Sequence, residues 1–170
     1  MSDTYRRYRA IKQSIMQFYQ PRPTGHREKH LNTLTALICG LAGGRHAHLP
    51  IIADHAPSNR ASQESLIRRF TRFLKNDRNT LDGWFLPVAQ QLLTTLATQP
   101  IQIVMDGSTV GRGCLALMLS VVYHGRALPL CWLVVKAPKG HFPVATHREL
   151  LAQLKTIMPK DAEVTCPRRW

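Results

Sequence analysis

The period of the apolar positions changes near residue 100. Before it they recur every three or four residues, as on one face of a helix; after it they run nearly unbroken, as in buried strands. The first helix is predicted over residues 3–19, with Tyr8, Ile11, Ile15 and Phe18 on one face, and Gln20-Pro21-Arg22-Pro23-Thr24-Gly25 ends it. A second is predicted over residues 27–42, with an apolar stripe of Leu31, Leu34, Leu37, Ile38 and Leu41, stopped by Gly43-Gly44. A short helix follows at residues 49–55. The helix over residues 62–76 sets Leu66, Ile67, Phe70, Phe73 and Leu74 on one side and Arg68, Arg69, Arg72 and Lys75 on another. A further helix over residues 81–98, carrying Trp84, Phe85, Val88, Leu92 and Leu96, is assigned to the core of this half. Gln99-Pro100 marks the expected boundary between domains 1–99 and 100–170.

Beyond it, residues 101–105 read as a buried strand ending at Asp106, with Gly107-Ser108-Thr109 as the turn. Residues 115–124 and 127–137 read as two more strands joined at His124-Gly125-Arg126. Their near-continuous apolar character predicts an antiparallel meander with both faces covered. A loop leads to a helix over residues 144–158 that buries Leu150, Leu151, Leu154 and Ile157, and residues 162–166 begin another strand. The fold class is therefore α+β: a helical N-terminal domain, then three strands, a helix and the start of a fourth strand.

Charge gives this outline a partner. The 170 residues carry a net charge of +13, with 44% apolar residues. The chain can bury a core, and its charge favours a polyanion, most directly nucleic acid. Residues 1–100 hold 14 Lys and Arg against 6 Asp and Glu; residues 101–170 hold 9 against 4. Cys39, Cys114, Cys131 and Cys166 form no CxxC pair, and three of them lie in apolar runs, as reduced core residues of a cytoplasmic protein do. There is no secretory signal and no apolar run of membrane-spanning length. His26 with His30, and His46 with His48, have suggestive spacings. No Cys or carboxylate completes a zinc set, so they read as surface or phosphate-contacting groups.

Two features carry candidate chemistry. On the 62–76 helix, Arg69, Arg72 and Lys75 follow Arg68 at spacings of one, four and seven, and only Glu64 stands four residues from one of them. Unpaired like charges on a helix repel, so a cationic ridge of Arg68, Arg69, Arg72 and Lys75 fits a phosphate backbone, although surface helices are often rich in Arg and Lys. The order of helix, Gly-rich stop, short helix, loop and basic helix is compatible with a helix-turn-helix arrangement. The second feature is Asp106. A carboxylate at the exposed end of a strand suits a divalent cation, and Asp before Gly is also common in turns. Ser108 and Thr109 have no base placed near them by sequence and read as turn residues.

Met105-Asp106-Gly107-Ser108-Thr109 and the stretch Val121-Val122-Tyr123-His124-Gly125-Arg126-Ala127-Leu128-Pro129-Leu130-Cys131-Trp132 resemble DDE transposases of bacterial insertion sequences, of the insertion-sequence-four type. The Lys139-Gly140-His141-Phe142 loop, the Arg148-Glu149-Leu150-Leu151 helix and residues 65–76 fit the same pattern. The resemblance covers most of residues 30–165. It implies a ribonuclease-H-like catalytic domain in which two Asp and one Glu hold two Mg2+ ions roughly 3.5–4 Å apart for DNA strand cleavage and transfer. Asp106 matches the first catalytic and metal-binding Asp. The helical half would bind double-stranded DNA at the element's terminal repeats, with a homodimer or full-length transposase as protein partner.

The second Asp is expected just after the strand that begins at Ala162, and the Glu much later. Asp161 and Glu163 flank the start of that strand, and Cys166-Pro167-Arg168-Arg169-Trp170 reads as a tail left by truncation or frameshift. The expectation is a transposase fragment inactive alone, whose second half is poorly soluble or partly disordered. The alternatives are a non-catalytic DNA-binding protein or transposition inhibitor, and an unrelated basic structural or RNA-binding protein.

Overall fold

The computed structural model describes residues 2–19, 21–58, 60–137 and 142–166. They form two compact units, Met1–Leu81 and Asp82–Trp170.

The first unit holds α1 (Asp3–Met16), α2 (Gly25–Gly44), α3 (Leu49–His55) and α4 (Gln63–Leu74). α2 packs against the other three. Its buried residues are Leu31, Thr33, Thr35, Ala36, Cys39 and Gly40, whereas Leu34, Leu37 and Ile38 are half-buried and Leu41 is exposed. The predicted leucine stripe is therefore displaced. The reason is close approach: small residues at 36 and 40 let α3 come in against the α2 backbone. A Cβ at Gly40 would fall on the Ile52 carbonyl oxygen and within 2.8 Å of Ile52 Cγ2. Gly40→Leu is expected to destabilise this unit by about 1–3 kcal/mol through overpacking, read as an earlier loss of ellipticity on heating. Gly43 and Gly44 do not stop the helix. It runs through Gly44 and ends at Arg45, which adopts φ 52° and returns its N–H to the Leu41 carbonyl at 2.9 Å.

Ser62 caps α4 by accepting the Ser65 N–H at 3.3 Å. Leu66 and Phe70 are buried against Ala36, Ile52, Ala53 and Ala56, and Gln63 ties α4 to α3 by donating to Asp54 Oδ1 at 2.6 Å. Leu74, predicted on the apolar face, is 59% exposed because the last turn runs past these neighbours.

The expected 81–98 helix is two pieces, α5 (Leu81–Trp84) and α6 (Leu86–Leu96). Pro87 explains the break: it has no N–H for the Gly83 carbonyl and its ring crowds that carbonyl, but it fits the first turn of a new helix. Ala89 and Leu93 of α6 share a core with the sheet. α6 thus belongs to the second unit, and the compact units divide at 81/82, where the sequence placed 99/100.

That sheet contains β1 (Ile101–Gly111), β2 (Cys114–Tyr123), β3 (Arg126–Lys136) and the two-residue β4 (Val164–Thr165), in the order β3-β2-β1-β4. β1, β2 and β3 form an antiparallel meander, and β4 runs parallel to β1. The loops Arg112-Gly113 and His124-Gly125 both have positive φ at both positions, as two-residue type I′ hairpins require. α7 (Val144–Ile157) packs on β2 and β3 through Leu150, Leu154 and Ile157; Leu151, predicted buried, is exposed, and Thr146 is buried.

Pairing assigns the sheet faces. Ile101, Ile103, Leu117, Leu119, Val121 and Cys131 share the core face. Val104 and Asp106 lie on the other, opposite Ser120 and Met118. On that face Ala116 and Ser120 are buried, but Val104, Met118 and Val122 are only half-buried and Val134 is 56% exposed, so the described residues do not give the expected full covering of both faces. The described residues form a mixed α+β fold.

Candidate nucleic-acid interface and the Asp106 cleft

α4 turns its buried stripe inward and leaves Arg68, Arg72 and Lys75 exposed. These three follow one another by four and three residues, so they line one edge of the helix. At 1.5 Å per residue the row is about 10 Å long, close to the rise of three successive nucleotides on one DNA strand. Arg68 bonds Glu64 at 2.6 Å in a solvent-exposed pair. Such a pair contributes about 0–1 kcal/mol and opens readily when a phosphate competes. Arg72 and Lys75 have no acidic partner among the described residues. They also stand at the C-terminal end of α4, where the helix dipole favours a cation by about 0.3–1 kcal/mol. That local role is real without any DNA.

Arg69 leaves the ridge. One residue is a 100° step round a helix, which swings Arg69 toward α2. Its Nε–H donates to Thr33 Oγ1 at 3.0 Å, and Thr33 in turn donates to the Lys29 carbonyl at 2.9 Å. The predicted four-residue ridge is therefore three residues with Arg69 turned inward. Sequence reasoning missed what Arg69 turns toward: a cleft lined also by Tyr5, Tyr8 and Lys12. The signal was present, because positions 5, 8 and 12 follow one face of α1. Burial raises the Tyr8 pKa, and the Arg69 charge partly offsets it.

Among the described residues, no histidine joins a group of three potential metal ligands. His30 is half-buried, with Nδ1 3.0 Å from Asn79 Oδ1 and its ring edge-on to Phe73, so it serves packing where the sequence suggested a surface group. His46 and His48 stack edge to face on the surface. Cys39 and Cys131 are buried and free, as expected. Burial pushes the Cys131 thiol up to about 11, which leaves it protonated and poorly nucleophilic near neutral pH.

Asp106 does not end its strand. β1 continues through Gly107, Ser108 and Thr109, which pair with Leu117, Ala116 and Leu115, and turns only at Arg112-Gly113. The ladder to β2 holds this second half of β1 although its side chains are exposed. At Gly107 a Cβ would meet the Phe142 ring, 2.6 Å from Cε2, so the missing side chain makes room for that ring. Asp106 is thus mid-strand and exposed, on the wall of an open cleft of about 580 Å³ that Val104, Val122, Arg126 and Ala127 also line.

Among the described residues, no second carboxylate lines that cleft. Ile101 N–H donates to the Glu163 carbonyl at 2.7 Å, and the parallel pairs Ile101–Val164 and Gln102–Thr165 follow. Asp161 and Glu163 therefore lie at the start of β1, about 20 Å from Asp106 along the strand at ~3.3 Å per residue. β4 reaches only Thr165, which pairs with Gln102, and Lys139, Gly140 and His141 of the loop that fits the transposase pattern lie outside the described residues. A hard divalent cation takes about six oxygen ligands, and the described residues bring together no group of three His, Cys, Asp or Glu side chains. They do not by themselves form the Mg2+ site that the sequence resemblance implies.

No protein-family model matches the chain, and no curated protein matches it. No helix among the described residues is long and apolar enough to cross a membrane.

Proposed function

We propose that the chain is part of an insertion-sequence DDE transposase of the type its sequence resembles, and that its own activity is binding double-stranded DNA through α4. The observation that carries this reading is the exposed row of Arg68, Arg72 and Lys75 opposite the buried Leu66 and Phe70. A rigid, capped helix presents the cations, so little side-chain ordering beyond their own rotamers is needed to meet a backbone. The net charge of +13 adds long-range attraction. Contacts of this kind position a protein on DNA, and terminal-repeat sequence would be read by additional groups.

In the same reading Asp106 supplies the first carboxylate of the strand-transfer site. The matching hairpin residues 121–132 lie beside it as β2 and β3. A single carboxylate does not hold two metal ions against hydration, and the described residues group no further metal ligands with Asp106, so residues 1–170 by themselves are expected not to cleave DNA. With a terminal-repeat duplex and Mg2+ or Mn2+, no cleavage should appear, and Asp106→Ala should leave duplex affinity within about twofold, since it removes one exposed acid remote in sequence from α4. Metal-dependent cleavage that Asp106→Ala abolishes would overturn the expected inactivity while supporting the Asp106 assignment; cleavage that Asp106→Ala leaves intact would overturn both.

A further inference from the structure

The cleft that Arg69 enters has a composition the α4 ridge does not account for. Tyr5 and Tyr8 of α1, Lys12 of α1, Asn32 of α2 and Arg69 of α4 line it, with Ala36 and Pro57 as its apolar part. No acidic side chain is among them. Lys12 and Arg69 are both half-buried, and neither has an acidic partner among the described residues. Two cations held in one partly desolvated cleft repel more strongly than they would in water. The side chains around them are rich in donors. Arg69 uses its Nε–H on Thr33 Oγ1, which leaves the terminal guanidinium nitrogens for a further acceptor. Tyr8 Oη donates to Asn32 Oδ1 at 3.4 Å, which orients the Asn32 amide and leaves its NH2 as a donor. The cleft measures about 270 Å³, the space of about nine waters at ~30 Å³ each. That accommodates a phosphoryl group with part of a sugar.

We propose that this cleft is a phosphate-binding site, in which Lys12 and Arg69 neutralise a phosphoryl group and the Asn32 NH2, oriented by the Tyr8 hydroxyl, donates to it. The site stands apart from the α4 edge, because Arg69 points off that edge and Lys12 lies on α1. It does not depend on the transposase reading. The phosphoryl group comes either from a DNA backbone or from a free phosphate or phosphomonoester; the chemistry of capture is the same.

The test uses the full chain. Inorganic phosphate is titrated at constant ionic strength, and the Arg69 Nε–Hε resonance is followed, assigned through Arg69→Lys. The expected result is a saturable shift. Loss of one charge-assisted contact should weaken it about tenfold in Lys12→Gln, and Arg148→Gln, at an exposed cation of α7 in the second unit, should leave it unchanged. Tyr8→Phe, which removes only a hydroxyl, should weaken it less and keeps the test informative should substitution at Arg69 disturb the Thr33 contact. A linear shift without saturation, or one that Lys12→Gln does not alter, would overturn the site. Adding duplex DNA to the phosphate-saturated chain separates the two sources. If the duplex displaces phosphate from Arg69, the site serves the DNA backbone; if both bind together, it serves a free phosphate or phosphomonoester.

Discussion

Phe70→Ala should unfold the helical unit while leaving the sheet unit folded. Phe70 is fully buried and is the largest fully buried side chain among the described residues. It fills the space between α2, α3 and α4 with Leu66, Ala36 and Ile52. Truncating a buried Phe costs about 3–5 kcal/mol, against a whole stability of about 5–15 kcal/mol for a typical domain. A unit of about 80 residues lies low in that range. The two units have separate cores, so the loss should be local. The described tryptophans, Trp84 and Trp132, both belong to the second unit, and Phe85 packs edge-on against Trp132 with ring centroids 4.9 Å apart. The helical unit supplies most of the helix. In urea, ellipticity at 222 nm should therefore fall early in the variant while tryptophan fluorescence keeps its wild-type midpoint. A single shared transition, shifted equally in both signals, would contradict two separate cores.

Reversing both free cations of α4, as Arg72→Glu with Lys75→Glu, should weaken duplex binding about ten- to a hundredfold at low salt, with the same loss for any sequence. Both side chains are exposed, so direct packing losses should be small. The substitutions do place two acids at the negative end of the helix dipole, which costs about 0.3–1 kcal/mol each in stability. Binding and stability must therefore be measured together. A fluorescence-anisotropy titration at a temperature where circular dichroism shows both proteins folded separates the two effects. Arg68→Gln should cost less, because Glu64 already shares that charge.

Much of this organisation was legible in the sequence. The helix–short helix–basic helix order of residues 25–74 and the three-stranded meander with its following helix rest on strong periodicity, and the structure has them. The misses have identifiable causes. The strand through Asp106 ran on unseen because its second half is held by ladder bonds to β2 while its side chains face outward; hydrophobic patterning carries no trace of such pairing. The helix at residues 81–98 was broken by Pro87, a local signal available in the sequence but outweighed by the apolar period. The α2 stripe was misplaced because Ala36 and Gly40 bury by close approach, and small residues weigh little in an apolar pattern. Helical spacing groups Arg69 with its neighbours as surface charge, since nothing in it tells that Thr33, 36 residues earlier, stands ready to accept its Nε–H. The Asp106 cleft depended on which strands pair, and that follows only from the fold.

The most direct test of the DNA-binding claim is the salt dependence of duplex affinity for the wild-type chain and for Arg72→Gln with Lys75→Gln. Each phosphate contact contributes about 0.9 to the slope of log K against log salt. If Arg72 and Lys75 meet the backbone, neutralising both should flatten the slope by about 1.8. An unchanged slope with unchanged affinity would show that these cations serve only the end of their helix, and the α4 interface would fall.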